Sequence, residues 1–310
     1  MSGVLEQVDL RDADAVIAAL EAGAAANTGA SCRVGSIDVV TVGPGERLVL
    51  TGDLHDNPLH MARVVRAAGM DEPGSGVAPA HLTLHELIHG DRLGNGMDFS
   101  YRVLVRAALL KAAFPPRVHT LLANHELAQA MRTAIVKDGV LVVEAFDHAV
   151  EYVFGGRAGE VRRAVEGFIF SMPLALRVVR GGLGDILCAH SLPGPEVMGI
   201  FDPTVLERPM EASDLVPRRG SAHLMVWGRG HSPEQLETLA RRWGVSMFVL
   251  GHEHAEAGAL ALPPNALVLN SDHERGVMVV VDPGEVRGVE DLLGSACPLS
   301  EGVARSWSAS

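Results

Sequence analysis

Leu48-Val49-Leu50-Thr51-Gly52-Asp53-Leu54-His55-Asp56-Asn57 is the stretch from which the rest of the chain is read. An apolar run of strand length ends on a glycine, and a carboxylate and an imidazole follow two positions apart. If extended backbone persists past the glycine, Asp53 and His55 point to the same side. A hard oxygen donor beside a borderline nitrogen donor suits a first-row divalent metal such as Mn, Fe or Zn. Aspartate is also common in the turn after a strand with no ligand in view, so the pair gains weight only from matching strand ends elsewhere.

Four more segments end in the same chemistry. HLTLHE alternates in strand fashion and ends on Glu86, with His85 before it. Residues 117–122 read as a strand running into Asn124 and His125. Residues 174–180 and 185–189 read as a hairpin about Gly181-Gly182-Leu183-Gly184, ending on His190. A strand over 247–250 leads into Gly251-His252-Glu253-His254. Open α/β sheets carry their chemistry at the carboxyl ends of strands. Five ends of one kind are far harder to attribute to turns than any one of them.

Around these strands, helices are expected over residues 10–24, 59–68, 97–113, 126–137, 158–168 and 233–243. Residues 36–42 and 47–50 read as a hairpin about Gly43-Pro44-Gly45, and residues 266–270 and 277–281 as a closing hairpin. The Pro/Gly-rich residues 72–79 read as a surface loop. Strands and helices interleave without a repeat, so a single α/β domain is expected over 1–282, its first 46 residues a helix and hairpin leading in. Residues 283–310 turn Gly/Ser-rich and lose period, which predicts a loosely ordered tail.

The chain has 310 residues, 47% of them hydrophobic and 21% charged, enough for a full core. A net charge of −12 argues against general binding to nucleic acid or to an anionic membrane, both of which would be repelled. Cys32, Cys188 and Cys297 form no CxxC pair, which argues against a zinc ribbon or a disulfide scaffold. The first residues lack the basic start and apolar block of a secretory signal, so a cytoplasmic protein is expected.

The order of GDLH, LLANHE, CAHSLP and FVLGHEH resembles that of the calcineurin-like metallophosphoesterases. FSMPLALRVV before the His190 strand and VWGRGH before the last motif resemble their phosphoprotein-phosphatase branch in particular. The resemblance implies two packed mixed β-sheets flanked by helices, an αββα sandwich. It implies a pair of divalent metals, Mn foremost with Fe or Zn as alternatives. Asp53 and His55 would hold the first metal, and Asn124, His190 and His252 the second. His254 matches a last histidine that serves the first metal in many members but is absent from the protein-phosphatase branch. His125 matches the general acid for the leaving alkoxide, and Arg229 is a candidate for the substrate phosphate.

The second motif departs from the family pattern, which has a bridging aspartate after glycine. Two residues compete for that place. Glu86 ends the apolar alternation, whereas Asp91 matches the Gly-Asp letters and the family's usual interval to Asn124. Glu86 is preferred, and Asp91-Arg92 then falls near the family's Asp-Arg pair, in which Asp orients the catalytic histidine and Arg binds phosphate. His85, His89, His119 and His231 match no ligand position, although His85 or His89 is in place to orient Glu86. The expected activity is phosphate-monoester hydrolysis by metal-bound hydroxide, on phosphoserine or phosphothreonine protein first and small phosphorylated molecules second. A diester or dinucleoside-polyphosphate hydrolase and a non-catalytic metal-binding module are the alternatives.

Overall fold

The computed structural model describes residues 8–43, 45–71, 78–137 and 139–300. The run Leu48–Thr51 is buried at every residue because its strand is covered on both faces. Leu48 and Leu50 face a cluster shared by two sheets, while Val49 faces the larger core under the helices. A strand covered twice reads as an unbroken apolar run rather than an alternating one. Val277–Val281 and Val245–Leu250 are built the same way: Val279 and Val249 turn to the cluster between the sheets, Val280 and Phe248 to the larger core.

One sheet has five strands, in the order Ala296–Pro298, Val277–Val281, Leu48–Thr51, His81–Leu84, Val118–Thr120. The last three are mutually parallel, and the first two are antiparallel to their neighbours. The other sheet has seven, in the order Arg33–Val34, Ile37–Thr41, Ala175–Val179, Asp185–Ala189, Val245–Leu250, Ala266–Leu269, Ala259–Leu262. Leu48, Leu50 and Val279 of the first sheet share one apolar cluster with Val178, Ile186, Val249 and Leu267 of the second. Each such side chain contributes about 1.5–3 kcal/mol of burial. Helices Ala13–Gly29, Tyr101–Ala113 and Ala158–Ser171 pack together, completing the αββα sandwich expected above.

A buried polar network also joins the sheets. Asp38, on Ile37–Thr41, accepts from His119 Nδ1 on Val118–Thr120 at 2.7 Å and from Arg33 Nε at 2.8 Å. His81 Nδ1 stands 3.1 Å from His119 Nε2, and Arg117 donates to His81 Nε2 at 2.9 Å. Lys111 Nζ, fully buried 3.7 Å from Asp38, donates to the carbonyls of Pro115 and Val118.

Several local expectations are corrected. Ile37–Thr41 and Leu48–Thr51 are no hairpin: the first pairs with Ala175–Val179 in the seven-stranded sheet, the second with Val277–Val281 in the five-stranded one. The closing hairpin likewise divides, since Ala266–Leu269 pairs with Val245–Leu250 and Ala259–Leu262. The helix expected over 126–137 ends at Met131, where Arg132 turns left-handed, and Val136–Lys137 pairs with Val140–Leu141. The expected loose tail instead carries helix Val289–Gly294 and edge strand Ala296–Pro298, with Val286, Leu292 and Leu299 buried. Residues 301–310, Pro44 of the first expected turn, and residues 72–77 of the expected surface loop lie outside the described residues.

Candidate active site

Strands Leu48–Thr51, His81–Leu84 and Val118–Thr120 of one sheet and Asp185–Ala189 and Val245–Leu250 of the other end at the same edge of the sandwich. Two glycines let these ends close. A Cβ on Gly52 would lie 1.8 Å from the Leu269 carbonyl oxygen, and one on Gly251 would lie 2.3 Å from Asp53 Oδ1 and 2.5 Å from His85 Cε1. Backbone strain gathers here as well: His55, Asp56, Glu86, His89 and His252 all have positive φ. Non-glycine residues hold that conformation only where their surroundings over-determine it, and such residues cluster at functional sites.

Glu86 is the centre of the arrangement. Its Oε1 lies 3.5 Å from His55 Nε2 and 3.4 Å from His125 Nε2, and its Oε2 lies 3.1 Å from His190 Nε2. His190 Nε2 is also 2.7 Å from Asn124 Oδ1 and 3.0 Å from His252 Nδ1. One ring N–H cannot serve three acceptors, so lone pairs face one another across a small buried space. Among the described residues, Glu86 Oε2 and His252 Nε2 are buried without a hydrogen bond of good geometry. Asp53 accepts from the His252 backbone N–H on both oxygens at 3.0 Å, and its carboxyl touches that of Glu86. Two buried carboxylates side by side cannot both be charged unless a cation joins them. Burial and the charge of Asp53 accordingly drive the Glu86 carboxyl well above the ordinary range. Burial also holds His85 down to about 4 and His252 down to about 2, leaving both neutral and able to donate lone pairs.

The donor set fits divalent cations. Ligand atoms of His55, Glu86 and His125 lie within 4.8 Å of one another, as do those of Glu86, His190 and His252, so the two groups share Glu86. Asp53, His85 and His190 form a third such group. The further group Cys32, Asp38 and His119 is different in kind. There Asp38 already faces Arg33 and Lys111, which offset its charge, and burial pushes the Cys32 thiol up to about 11.

The sequence-predicted residues divide cleanly. Asp53, His55, Glu86, Asn124, His125, His190 and His252 converge. His254 does not: its side chain is exposed, with its ring beside that of His273. Asp91 does not reach His125 as expected; it is exposed at the surface and paired with Lys137 Nζ at 2.8 Å. Asp91 and Arg92 both line a cleft of about 310 Å³ that opens beside His55, together with Asp272 and Glu274. Arg229 donates to the His252 carbonyl at 2.7 Å, which sets its guanidinium against the cluster. Of Asp56-Asn57, which depart from the family's first motif, Asn57 serves the backbone: its Oδ1 caps helix Pro58–Ala67 and its amide donates to the Asp272 carbonyl.

The sequence offered His85 or His89 to orient Glu86, but His85 is aimed at His190 and His89 at Asp98. His85 donates from Nε2 to the Thr51 carbonyl at 2.8 Å, so its Nδ1 is left as an acceptor 3.2 Å from His190 Nδ1. That turns the other nitrogen of His190 toward Glu86. His55 is fixed likewise by donating from Nδ1 to the Ile88 carbonyl at 3.0 Å. Glu126 Oε1 accepts from the Leu87 and Ile88 backbone N–H groups and so anchors the loop that carries Glu86.

No family model and no curated protein matches the chain. Solved structures do. A protein serine/threonine phosphatase from Saccharomyces cerevisiae with similarity to human phosphatase PP5 superposes with a TM-score of 0.64 at 15% identity, over 88% of this chain and 84% of that one. A cold-active protein-tyrosine phosphatase of a psychrophilic Shewanella gives 0.54 at 13% identity, over 80% and 78%.

Proposed function

We propose that this chain, which has the calcineurin-like phosphatase fold, is a metal-dependent phosphatase acting on phosphate monoesters through two divalent ions that share Glu86. The observation that carries the reading is the meeting of Asp53, His55, Asn124, His190 and His252 around one buried carboxylate whose two oxygens face two ligand groups. Asp53, His55 and Glu86 would hold one ion, and Asn124, His190 and His252 the other, also with Glu86. Manganese is the ion proposed, with iron or zinc as substitutes. Two such ions supply positive charge to the phosphoryl oxygens and activate water near neutral pH.

The chain's own residues supply the remainder. Arg229, held at the His252 carbonyl, and Arg92, in the cleft beside His55, are the forks for the non-reacting phosphate oxygens. His125 Nε2 faces Glu86 and is the group that gives a proton to the departing oxygen. Phosphoserine and phosphothreonine proteins are the favoured substrates, because the motif context resembles the phosphoprotein-phosphatase branch and one of the matching structures is a protein serine/threonine phosphatase.

The test is phosphate release by the manganese-loaded chain from p-nitrophenyl phosphate and from phosphoserine, phosphothreonine and phosphotyrosine peptides. Bis(p-nitrophenyl) phosphate and a dinucleoside polyphosphate run beside them. Metal-dependent turnover of the monoesters, fastest on the serine and threonine peptides, is expected. No turnover of any monoester by protein that carries two equivalents of metal would refute the reading.

A further inference from the structure

Asp91, the residue expected to orient His125, lies at the surface. The interior behind His125 holds something else. His89 is fully buried, and its Nδ1 donates to Asp98 Oδ2 at 2.7 Å; Asp98 is also buried. Both are fixed by their neighbours. Asp98 Oδ1 accepts from the Ser100 backbone N–H at 2.9 Å, Ser100 Oγ accepts from the His89 backbone N–H at 3.1 Å, and Phe146 stands edge-on to the His89 ring. Since Asp98 accepts at Nδ1, His89 Nε2 is the nitrogen that carries a lone pair. That atom is buried with no partner. The neighbouring ring, 5.4 Å away between centroids, is His125, whose Nδ1 is likewise buried with no partner. Its other nitrogen faces Glu86. Two unsatisfied nitrogens on adjacent buried rings, one able to accept and the other able to donate, complete each other.

We propose that Asp98 and His89 are a positioning pair for His125: they take the hydrogen bond from His125 Nδ1 and so aim Nε2 at the substrate, and it is the doubly protonated ring, with N–H on both nitrogens, that gives its Nε2 proton. The proposal rests on the phosphatase reading above. In the step it serves, water oxygen bonds to phosphorus as the ester P–O bond breaks, and the His125 Nε2 proton passes to the departing oxygen. The water proton restores His125, giving phosphate and free alcohol. The strain at His89, whose φ is +61°, is consistent with a ring held in place for this purpose.

A group that orients a proton donor matters most where the leaving oxygen is strongly basic. In manganese-loaded protein, His89→Ala and Asp98→Asn are expected to lower kcat on phenyl and alkyl phosphates roughly 10–100-fold. On 2,4-dinitrophenyl phosphate, whose leaving group needs no proton, the expected change is less than about 3-fold. His89→Gln, which keeps an acceptor, should recover part of the loss. Equal losses on all substrates, or none, would overturn the proposal. A second readout does not depend on turnover. Long-range proton–nitrogen spectra of the diamagnetic zinc-loaded chain, with His125 assigned by His125→Ala, should show His125 protonated at Nδ1 in the wild type and altered in His89→Ala. An unchanged His125 pattern would refute the pairing even if the chain hydrolyses no phosphate ester, and an inactive wild type with the expected pattern would fault only the phosphatase reading.

Discussion

Glu86 and Asp91 are five positions apart and both acidic, yet their surroundings differ entirely. Glu86 is buried among His55, His125 and His190, whereas Asp91 is exposed, paired with Lys137 at the rim of the cleft beside His55. Glu86→Gln should therefore drop bound metal from two equivalents to one or none, measured by elemental analysis, and lower kcat on the order of 100-fold or more. Asp91→Asn should keep both metals and change kcat less than about 3-fold, because an exposed ion pair is worth little. The letters Gly90-Asp91 match the family pattern better than His85-Glu86 do. The strand pattern, which carries apolar burial up to Leu84, puts Glu86 in the buried cluster because the ladder decides which residue first leaves the sheet.

At the scale of elements, strands and helices with a strong internal pattern were legible, and helix Pro233–Trp243 has the bounds its Ser232 cap and Gly244 stop imply. Elements whose pairing is decided at a distance were not. The segments around Gly43–Gly45 and around residues 271–276 look like hairpin turns but cross from one sheet to the other. Nothing local distinguishes a turn that returns along its own strand from one that carries the chain over the sandwich. The C-terminal residues were misread for a related reason: composition suggested a loose tail, but Leu292 is fully buried against the cluster between the sheets and Ala296–Pro298 completes a sheet edge. Leu292→Ala should cost about 2–5 kcal/mol in urea unfolding, the range for emptying a core leucine. A loss below about 0.5 kcal/mol would mean that this helix does not pack as described.

The molecule as a whole is two sheets held face to face, by apolar side chains in one place and by the Asp38 network in another. That network has a pH signature. Burial, with the charges of His119 and Arg117, holds His81 down to about 3. In the unfolded chain it titrates near the ordinary histidine value of about 6.5. Between these values the unfolded chain binds a proton that the folded chain does not, so stability falls as pH drops from about 6.5 to 3, by up to ~1.4 kcal/mol per pH unit. Asp38, held low by His119, Lys111 and Arg33 against the cost of its burial, adds to the same loss below the ordinary carboxylate range. His81→Gln should flatten the slope of unfolding free energy against pH in metal-free protein; an unchanged slope would show that His81 charges freely when folded. The sequence by itself determined which donor types gather at the candidate site, because each follows a recognisable strand and donor identity is fixed by residue type. Only the tertiary structure decided which carboxylate faces two groups of ligands, that His254 and Asp91 stand outside, and that His85, His89 and Asp98 lie behind the donors. Those relations depend on which strand ends meet and which way a ring is turned, and both are set by packing between segments far apart in the chain.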